Sequence, residues 1–205
     1  CAFKGDLVWT AYLVGIAAVL DFFDGFVARL LKVGGEMGKQ LDSLADMVTF
    51  GVVPGVVMYQ MINSSSIRIG CIPTSISEYS NIIQYFGFLI TIFSCIRLAK
   101  FNIDTRQTNS FIGVPTPANT ILICSIPLIN HFQPDYLSIT SRTYFLIGLT
   151  IIMSYLLIAE LPLFALKFKN FGWADNKIRY SFLIISVILL ILFQFIAIPF
   201  IIFLY

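Results

Sequence analysis

The sequence predicts an all-α bundle of about six transmembrane helices, forming a single membrane-embedded domain over residues 1–205. Hydrophobic residues make up 58% of the chain and charged residues 12%, whereas an ordinary soluble domain is about 25% charged. The apolar residues also form long runs, and a helix needs about 20 of them to cross a bilayer. Lipid is therefore the expected solvent for most of this chain.

Six apolar runs, separated by polar connectors, predict the spans in order. The fourth run is short and flanked by prolines, which makes it the weakest candidate span. The sixth contains Pro199, so we expect it to be kinked or split into two segments. The first two runs form a motif core over 7–62, and the C-terminal helices follow over 81–205. The runs are 7–31, 41–62, 81–101, 116–131, 143–166 and 178–205.

Positive charge alternates between connectors and predicts the orientation of the spans. Lysine and arginine gather on the cytoplasmic side of membrane proteins. The first span is therefore expected to run inward, with a cytoplasmic loop after it. Of the 13 such residues, only Lys4, Arg68 and Arg142 fall on the opposite side. The other ten are Arg29, Lys32, Lys39, Arg97, Lys100, Arg106, Lys167, Lys169, Lys177 and Arg179.

The orientation also predicts a preceding helix. The chain opens on Cys1 without an initiator Met. A first span that enters from outside cannot follow an even number of crossings if the protein begins in the cytoplasm. We therefore expect this sequence to lack one N-terminal helix.

Four aspartates fall close to the predicted cytoplasmic face. Asp21 and Asp24 are three residues apart and Asp42 and Asp46 four apart, so each pair projects from one side of its helix. A short glycine-rich turn joins the two helices, which makes them antiparallel neighbours and brings the pairs face to face. Charged groups in transmembrane segments are costly and are functional by default.

Four adjacent carboxylates either take up protons or bind cations. Oxygen ligands suit Mg²⁺, Mn²⁺ or Ca²⁺, and neither the scattered cysteines nor His131, expected on the far side, predicts a zinc site. Gly25, Ala28 and Gly38 leave room for a ligand near the backbone, and Arg29 suits phosphate oxygens. Two alternatives remain on these grounds: tight helix packing beside a water-filled vestibule, or a cation or proton transporter.

The spacing of these residues resembles the complete signature of the CDP-alcohol phosphatidyltransferase family. All eight fixed positions match, in the pattern Asp21-x2-Asp24-Gly25-x2-Ala28-Arg29-x8-Gly38-x3-Asp42-x3-Asp46. The resemblance implies two divalent cations, Mg²⁺ or Mn²⁺, bound to the diphosphate of a CDP-lipid. Their ligands would be Asp21, Asp24, Asp42 and Asp46, with Asp46 also the base that deprotonates the acceptor alcohol. Gly25, Ala28, Arg29 and Gly38 would cradle the CDP moiety.

A second segment bears on the acceptor. Residues 97–102 and 111–119 read R-L-A-K-F-N and F-I-G-V-P-T-P-A-N. On physical grounds alone they form a positive helix end followed by a proline-rich turn. They are also similar to a stretch typical of the serine-using members of the family, which implies CDP-diacylglycerol as donor and L-serine as acceptor. Arg97 would then pair with the serine carboxylate, and Asn102 would bind its ammonium or carboxylate.

The expected enzyme forms phosphatidylserine and CMP at the cytoplasmic face of a bacterial inner membrane. The same chemistry on glycerol 3-phosphate or inositol phosphate remains an alternative, as does a transporter that uses the acidic residues. Phosphorylated acceptors call for a denser Arg/Lys pocket, and the third span offers only Arg97 and Lys100 near its end. The resemblance also implies that the enzyme is a homodimer surrounded by membrane lipid. We expect no nucleic-acid partner.

Overall fold

Helices make up nearly all of the computed structural model, which describes residues 1–31, 35–68, 82–103, 110–164 and 177–204. The predicted all-α membrane bundle is confirmed. Within these residues the helices are α1 (Leu7–Leu31), α2 (Glu36–Asp46), α3 (Val53–Arg68), α4 (Leu89–Ile103), α5 (Thr116–Phe132), α6 (Leu137–Thr140), α7 (Thr143–Ile158), α8 (Lys177–Phe193) and α9 (Ala197–Leu204).

Several shorter elements connect the helices. A π-helical segment, Met47–Val52, joins α2 to α3 without a break in the helical chain. Strands β1 (Ser110–Ile112) and β2 (Pro162–Phe164) pair antiparallel, with Phe111 opposite Leu163. Turns of 3-10 helix lie at Ala2–Lys4, Gln84–Phe88, Pro134–Tyr136 and Gln194–Ile196.

Among the described residues, four stretches are long and apolar enough to cross a membrane, or five if one bent pair counts as a span. The bent pair combines Pro134–Thr140 with Thr143–Ile158 at an angle of 74°. The predicted fourth run became α5, whose 17 residues span about 25 Å at 1.5 Å per residue. The four stretches are Leu7–Val27, Glu36–Ser65, Gln84–Ile103 and Tyr180–Leu204.

The short helix α5 lies at the centre of the bundle. It packs against α1, α3, α7 and α9, and Leu122, Ile123 and Ile129 are almost completely buried. By contrast, α8 leaves large apolar side chains such as Ile191 and Leu192 exposed. Exposed apolar side chains of this kind face hydrocarbon in an integral membrane protein. The central helix can therefore be short, because its neighbours shield it from lipid.

The last apolar run is split into two segments, as expected. The break lies at Gln194, five residues before Pro199. Gln194 adopts a left-handed conformation with φ 53° and separates α8 from α9. The Gln133 side chain fixes this turn, since its Nε2 donates to the Phe193 carbonyl at 3.0 Å and its Oε1 accepts from the Ile196 amide at 3.1 Å. Pro199 lies in the first turn of α9, where a missing N–H costs no hydrogen bond.

The predicted fifth run, 143–166, ends as a helix at Ile158. The residue before a proline avoids the helical region, and Pro162 follows closely and begins β2. Gly113 fits against this helix end with φ 75°, and a Cβ there would stand 2.7 Å from the Leu157 carbonyl oxygen. The glycine of the F-I-G-V-P string therefore has a packing role, since a larger residue would be strained there.

We expect Gly87→Ala to lower the midpoint of thermal unfolding in detergent. A Cβ at Gly87 would stand 2.5 Å from the Tyr59 amide nitrogen and 2.9 Å from the Gly55 carbonyl oxygen, so the backbones of two helices would have to separate. Such overpacking costs about 1–3 kcal/mol. Gly15→Ala is the matched control, because no described atom lies within 4 Å of its added Cβ. Equal midpoints for the two variants would contradict the close approach.

Candidate active site

The ends of α1 and α2 bring the predicted aspartates together. Carboxylate oxygens of Asp21, Asp24 and Asp42 all lie within 4.8 Å of one another. Asp21 is half-buried, whereas Asp24 and Asp42 are exposed. Three oxygen ligands at this separation suit a hard divalent cation. The two pairs therefore meet face to face, as their spacing predicts.

Asp46 lies beside these three carboxylates and completes the acidic cluster (Asp21, Asp24, Asp42 and Asp46). Its side chain is half-buried and interacts with the Asp21 side chain. Asp46 also interacts electrostatically with Asp42 and Arg97.

Repulsion within the cluster is substantial. Two unit charges about 4.8 Å apart repel by about 1 kcal/mol in water and about 3 to 4 kcal/mol at the dielectric of a protein surface. The repulsion between the exposed Asp24 and Asp42 side chains is nearer the lower value. A divalent cation would convert this repulsion into attraction, so the donor set fits a metal ion.

The π-helical segment begins directly after Asp46 and is fixed on both sides. Thr120 Oγ1, on α5, donates to the buried Phe50 carbonyl at 2.8 Å, and Thr91 Oγ1, on α4, donates to the Gly51 carbonyl at 3.0 Å. The wide π turn alters the regular backbone ladder, and these hydroxyls satisfy two of its carbonyls. The two threonines thereby hold the helix of Asp46 between α4 and α5.

Arg97 is nine-tenths buried at the same end of the bundle. It is 8% exposed, and its Nη1 donates to Thr116 Oγ1, at the start of α5, at 3.3 Å. Its guanidinium carbon lies 6.0 Å from the centre of the Phe101 ring, within range of a cation–π contact. The predicted acceptor residue is thus near Asp46, held by two neighbours.

Asn102 has a partner that the sequence did not predict. Its Nδ2 donates to Ser43 Oγ at 3.0 Å, and Ser43 directly follows Asp42. This hydrogen bond ties the end of α4 to the helix that carries two of the aspartates. The sequence contained one signal for Ser43, since it is a polar residue directly after a predicted metal ligand.

Among the proposed nucleotide residues, the two glycines have open surroundings. No described neighbouring atom lies within 4 Å of a Cβ added at Gly25 or Gly38, and both residues are exposed. Space for a ligand near the backbone therefore exists at both. The side chains of Ala28 and Arg29 lie outside the described part of the structure.

We expect Asp24→Asn to abolish the thermal stabilisation that Mn²⁺ or Mg²⁺ gives, because one ligand oxygen loses its charge. The metal-free variant should unfold at the same temperature or slightly higher, since one source of repulsion is gone. Asp135→Asn, an exposed acid at the start of the Pro134–Tyr136 turn, is the control. Metal-induced stabilisation that persists in Asp24→Asn would argue against the site.

Comparison with known proteins places the chain among membrane transferases. The protein named CDP-diacylglycerol–serine O-phosphatidyltransferase from Helicobacter pylori strain J99 is 30% identical over 189 residues, covering 91% of this chain and 70% of the relative. The Bacillus subtilis protein of the same name is 33% identical, covering 74% of this chain and 70% of the relative. The archaetidylserine synthase of Methanothermobacter thermautotrophicus is 30% identical, covering 73% and 57%.

The family model described as CDP-alcohol phosphatidyltransferase matches residues 1–156. This match includes α1 and α2, which carry the signature, and continues through α3, α4 and α5 into α7. The resemblance seen in eight positions thus extends over most of the bundle. The chain belongs to the CDP-alcohol phosphatidyltransferase family and is an integral membrane enzyme of that family.

Proposed function

We propose that this enzyme transfers the phosphatidyl group of CDP-diacylglycerol to the hydroxyl of L-serine, giving phosphatidylserine and CMP. The observation that carries the proposal is the acidic cluster. In it, one carboxylate oxygen from each of Asp21, Asp24 and Asp42 lies within 4.8 Å of the others, with Asp46 beside them. The relatives support serine as the acceptor, because those from H. pylori and B. subtilis are named for that reaction. The Arg97 cation next to Asp46 suits an acceptor that carries a carboxylate.

In this proposal the acidic cluster binds two divalent cations, Mg²⁺ or Mn²⁺, which hold the CDP diphosphate. Asp21, Asp24 and Asp42 are the principal ligands, and Asp46 contributes to one of the two ions. Gly25, Ala28, Arg29 and Gly38 line the nucleotide side of the same site. The open space beside the two glycines supports this assignment, since a ligand can approach the backbone there.

The transfer forms one bond to phosphorus and breaks another. The serine hydroxyl oxygen attacks the phosphorus that carries diacylglycerol, and the bond from that phosphorus to the bridging oxygen breaks. CMP leaves with the electron pair, and the Asp46 carboxylate accepts the hydroxyl proton as general base. Bound cations would stabilise the negative charge on the diphosphate and on the departing CMP.

Arg97 binds the serine carboxylate in this scheme, while Asn102 has two roles. Its amide oxygen and nitrogen both lie within hydrogen-bonding distance of Ser43 Oγ, at 3.2 Å and 3.0 Å. Asn102 therefore positions α2 and, through a remaining amide hydrogen, can still contact the acceptor. The arrangement of a buried Arg97 and a half-buried Asn102 suits a small polar molecule entering from water.

The proposed setting is a bacterial inner membrane, with the acidic cluster facing the cytoplasm. CDP-lipid would reach the site from the bilayer, and serine from the aqueous phase. The alternation of lysine and arginine between connectors supports this orientation. We further propose that the enzyme acts as a homodimer and that residues 1–205 form one membrane-embedded domain.

We expect the full-length enzyme, given CDP-diacylglycerol and Mn²⁺ or Mg²⁺, to release CMP with L-serine. Thin-layer analysis of radiolabelled lipid product should give phosphatidylserine, with much less product from glycerol 3-phosphate or inositol phosphate. Chelation of the divalent cation should stop the reaction. Release of CMP with a phosphorylated alcohol but not with serine would overturn the proposed acceptor while leaving the family chemistry intact.

We expect Asp46→Asn to reduce kcat roughly 100-fold or more, because the general base is lost. Thermal stabilisation by Mn²⁺ should largely remain, since Asp21, Asp24 and Asp42 keep their charges. Asp21→Asn provides the comparison, as it removes a principal ligand. Equal loss of metal stabilisation in the two variants would contradict a separate role for Asp46 as base.

A further inference from the structure

A fully buried amide lies on α5, the helix that contacts Arg97 through Thr116. Asn119, on α5, is 0% exposed, and among the described residues neither its Oδ1 nor its Nδ2 has a hydrogen-bond partner. Such a group costs free energy, because water solvates it in the unfolded chain. Most buried polar groups in native proteins are paired, so this exception requires an explanation.

The neighbours of Asn119 on α5 show which way it faces. Thr116 accepts a hydrogen bond from Arg97, on α4, and Thr120 donates one to the Phe50 carbonyl in the π-helical segment. Residues three or four apart share one side of a helix, and Asn119 is three residues from Thr116. Asn119 therefore lies on the side of α5 that borders α4, in the region where Thr120, the next residue, contacts the π-helical segment.

This region, which we call the polar wedge, is lined by Ser94, Arg97, Thr116 and Asn119. Ser94 Oγ is also fully buried, without a hydrogen-bond partner among the described residues. Its Cβ would stand 3.2 Å from a Cβ added at Gly51, so Ser94 packs against the π-helical segment. Polar groups that face the interior of a membrane bundle commonly mark a substrate path.

We propose that Asn119 binds the α-amino acid head of the acceptor, with Nδ2 donating to the carboxylate and Oδ1 accepting from the ammonium. A primary amide has both a donor and an acceptor, which matches a zwitterion. Arg97 supplies further donors to the same carboxylate, and Asp46, directly before the π-helical segment, receives the hydroxyl proton. The inference rests on the proposed transfer to serine and names a residue that selects an amino acid over a phosphorylated alcohol.

Asn119→Leu in the full-length enzyme tests this assignment, because it removes the amide at similar size. We expect the KM for L-serine to rise roughly tenfold or more. The kcat and the KM for CDP-diacylglycerol should change little, and the midpoint of thermal unfolding should not fall, because leucine replaces an unpaired buried amide. Asn119→Ala removes the same amide without a branched side chain and is the second variant if leucine prevents folding.

Ser125→Ala is the matched control on the same helix. Its buried hydroxyl donates to the Leu122 carbonyl at 2.6 Å, six residues beyond Asn119 on α5, so the KM for serine should be unchanged. An unchanged KM for L-serine in both Asn119 variants would overturn the inference, whatever happens to the unfolding midpoint. Absence of serine-dependent CMP release from the unsubstituted enzyme would overturn the proposed function itself, and the inference with it.

Discussion

Mutual repulsion between four carboxylates at one end of a membrane bundle is the constraint on which the surrounding structure depends. The oxygens of Asp21, Asp24 and Asp42 lie within 4.8 Å, which is unfavourable without a cation or a proton. The two acid pairs are supported unequally. α2 is tied to α4 by Ser43 and Asn102, whereas the acid-bearing half of α1 exposes large side chains such as Phe22.

The contacts of the π-helical segment fix the position of Asp46, which directly precedes it. A wide turn in a membrane helix needs partners for its carbonyls, because hydrocarbon offers none. Thr91 and Thr120 supply them from two different helices. The same contacts bring α4 and α5 close enough to form the polar wedge, so one backbone irregularity both positions the proposed base and shapes the space beside it.

Much of the fold and of the candidate site could be predicted because both depend on local spacing. Apolar runs are continuous in sequence, and each pair of aspartates lies on one helix, so helical periodicity alone brings its members together. The boundaries were less predictable. The end of α7 at Ile158 depends on Pro162 and on the packing of Gly113 against its last carbonyls, and the split of the last run depends on Gln133.

The sequence by itself determined the membrane class, the helical runs and the acidic motif, since lipid selects composition and the motif is a matter of spacing. Only the tertiary structure decided where polar side chains find partners. Asn102 and Ser43 are 59 residues apart, and no local pattern predicts their hydrogen bond. The burial of Asn119 likewise follows from the packing of other helices around α5, because exposure is a property of the assembled bundle and not of any one helix.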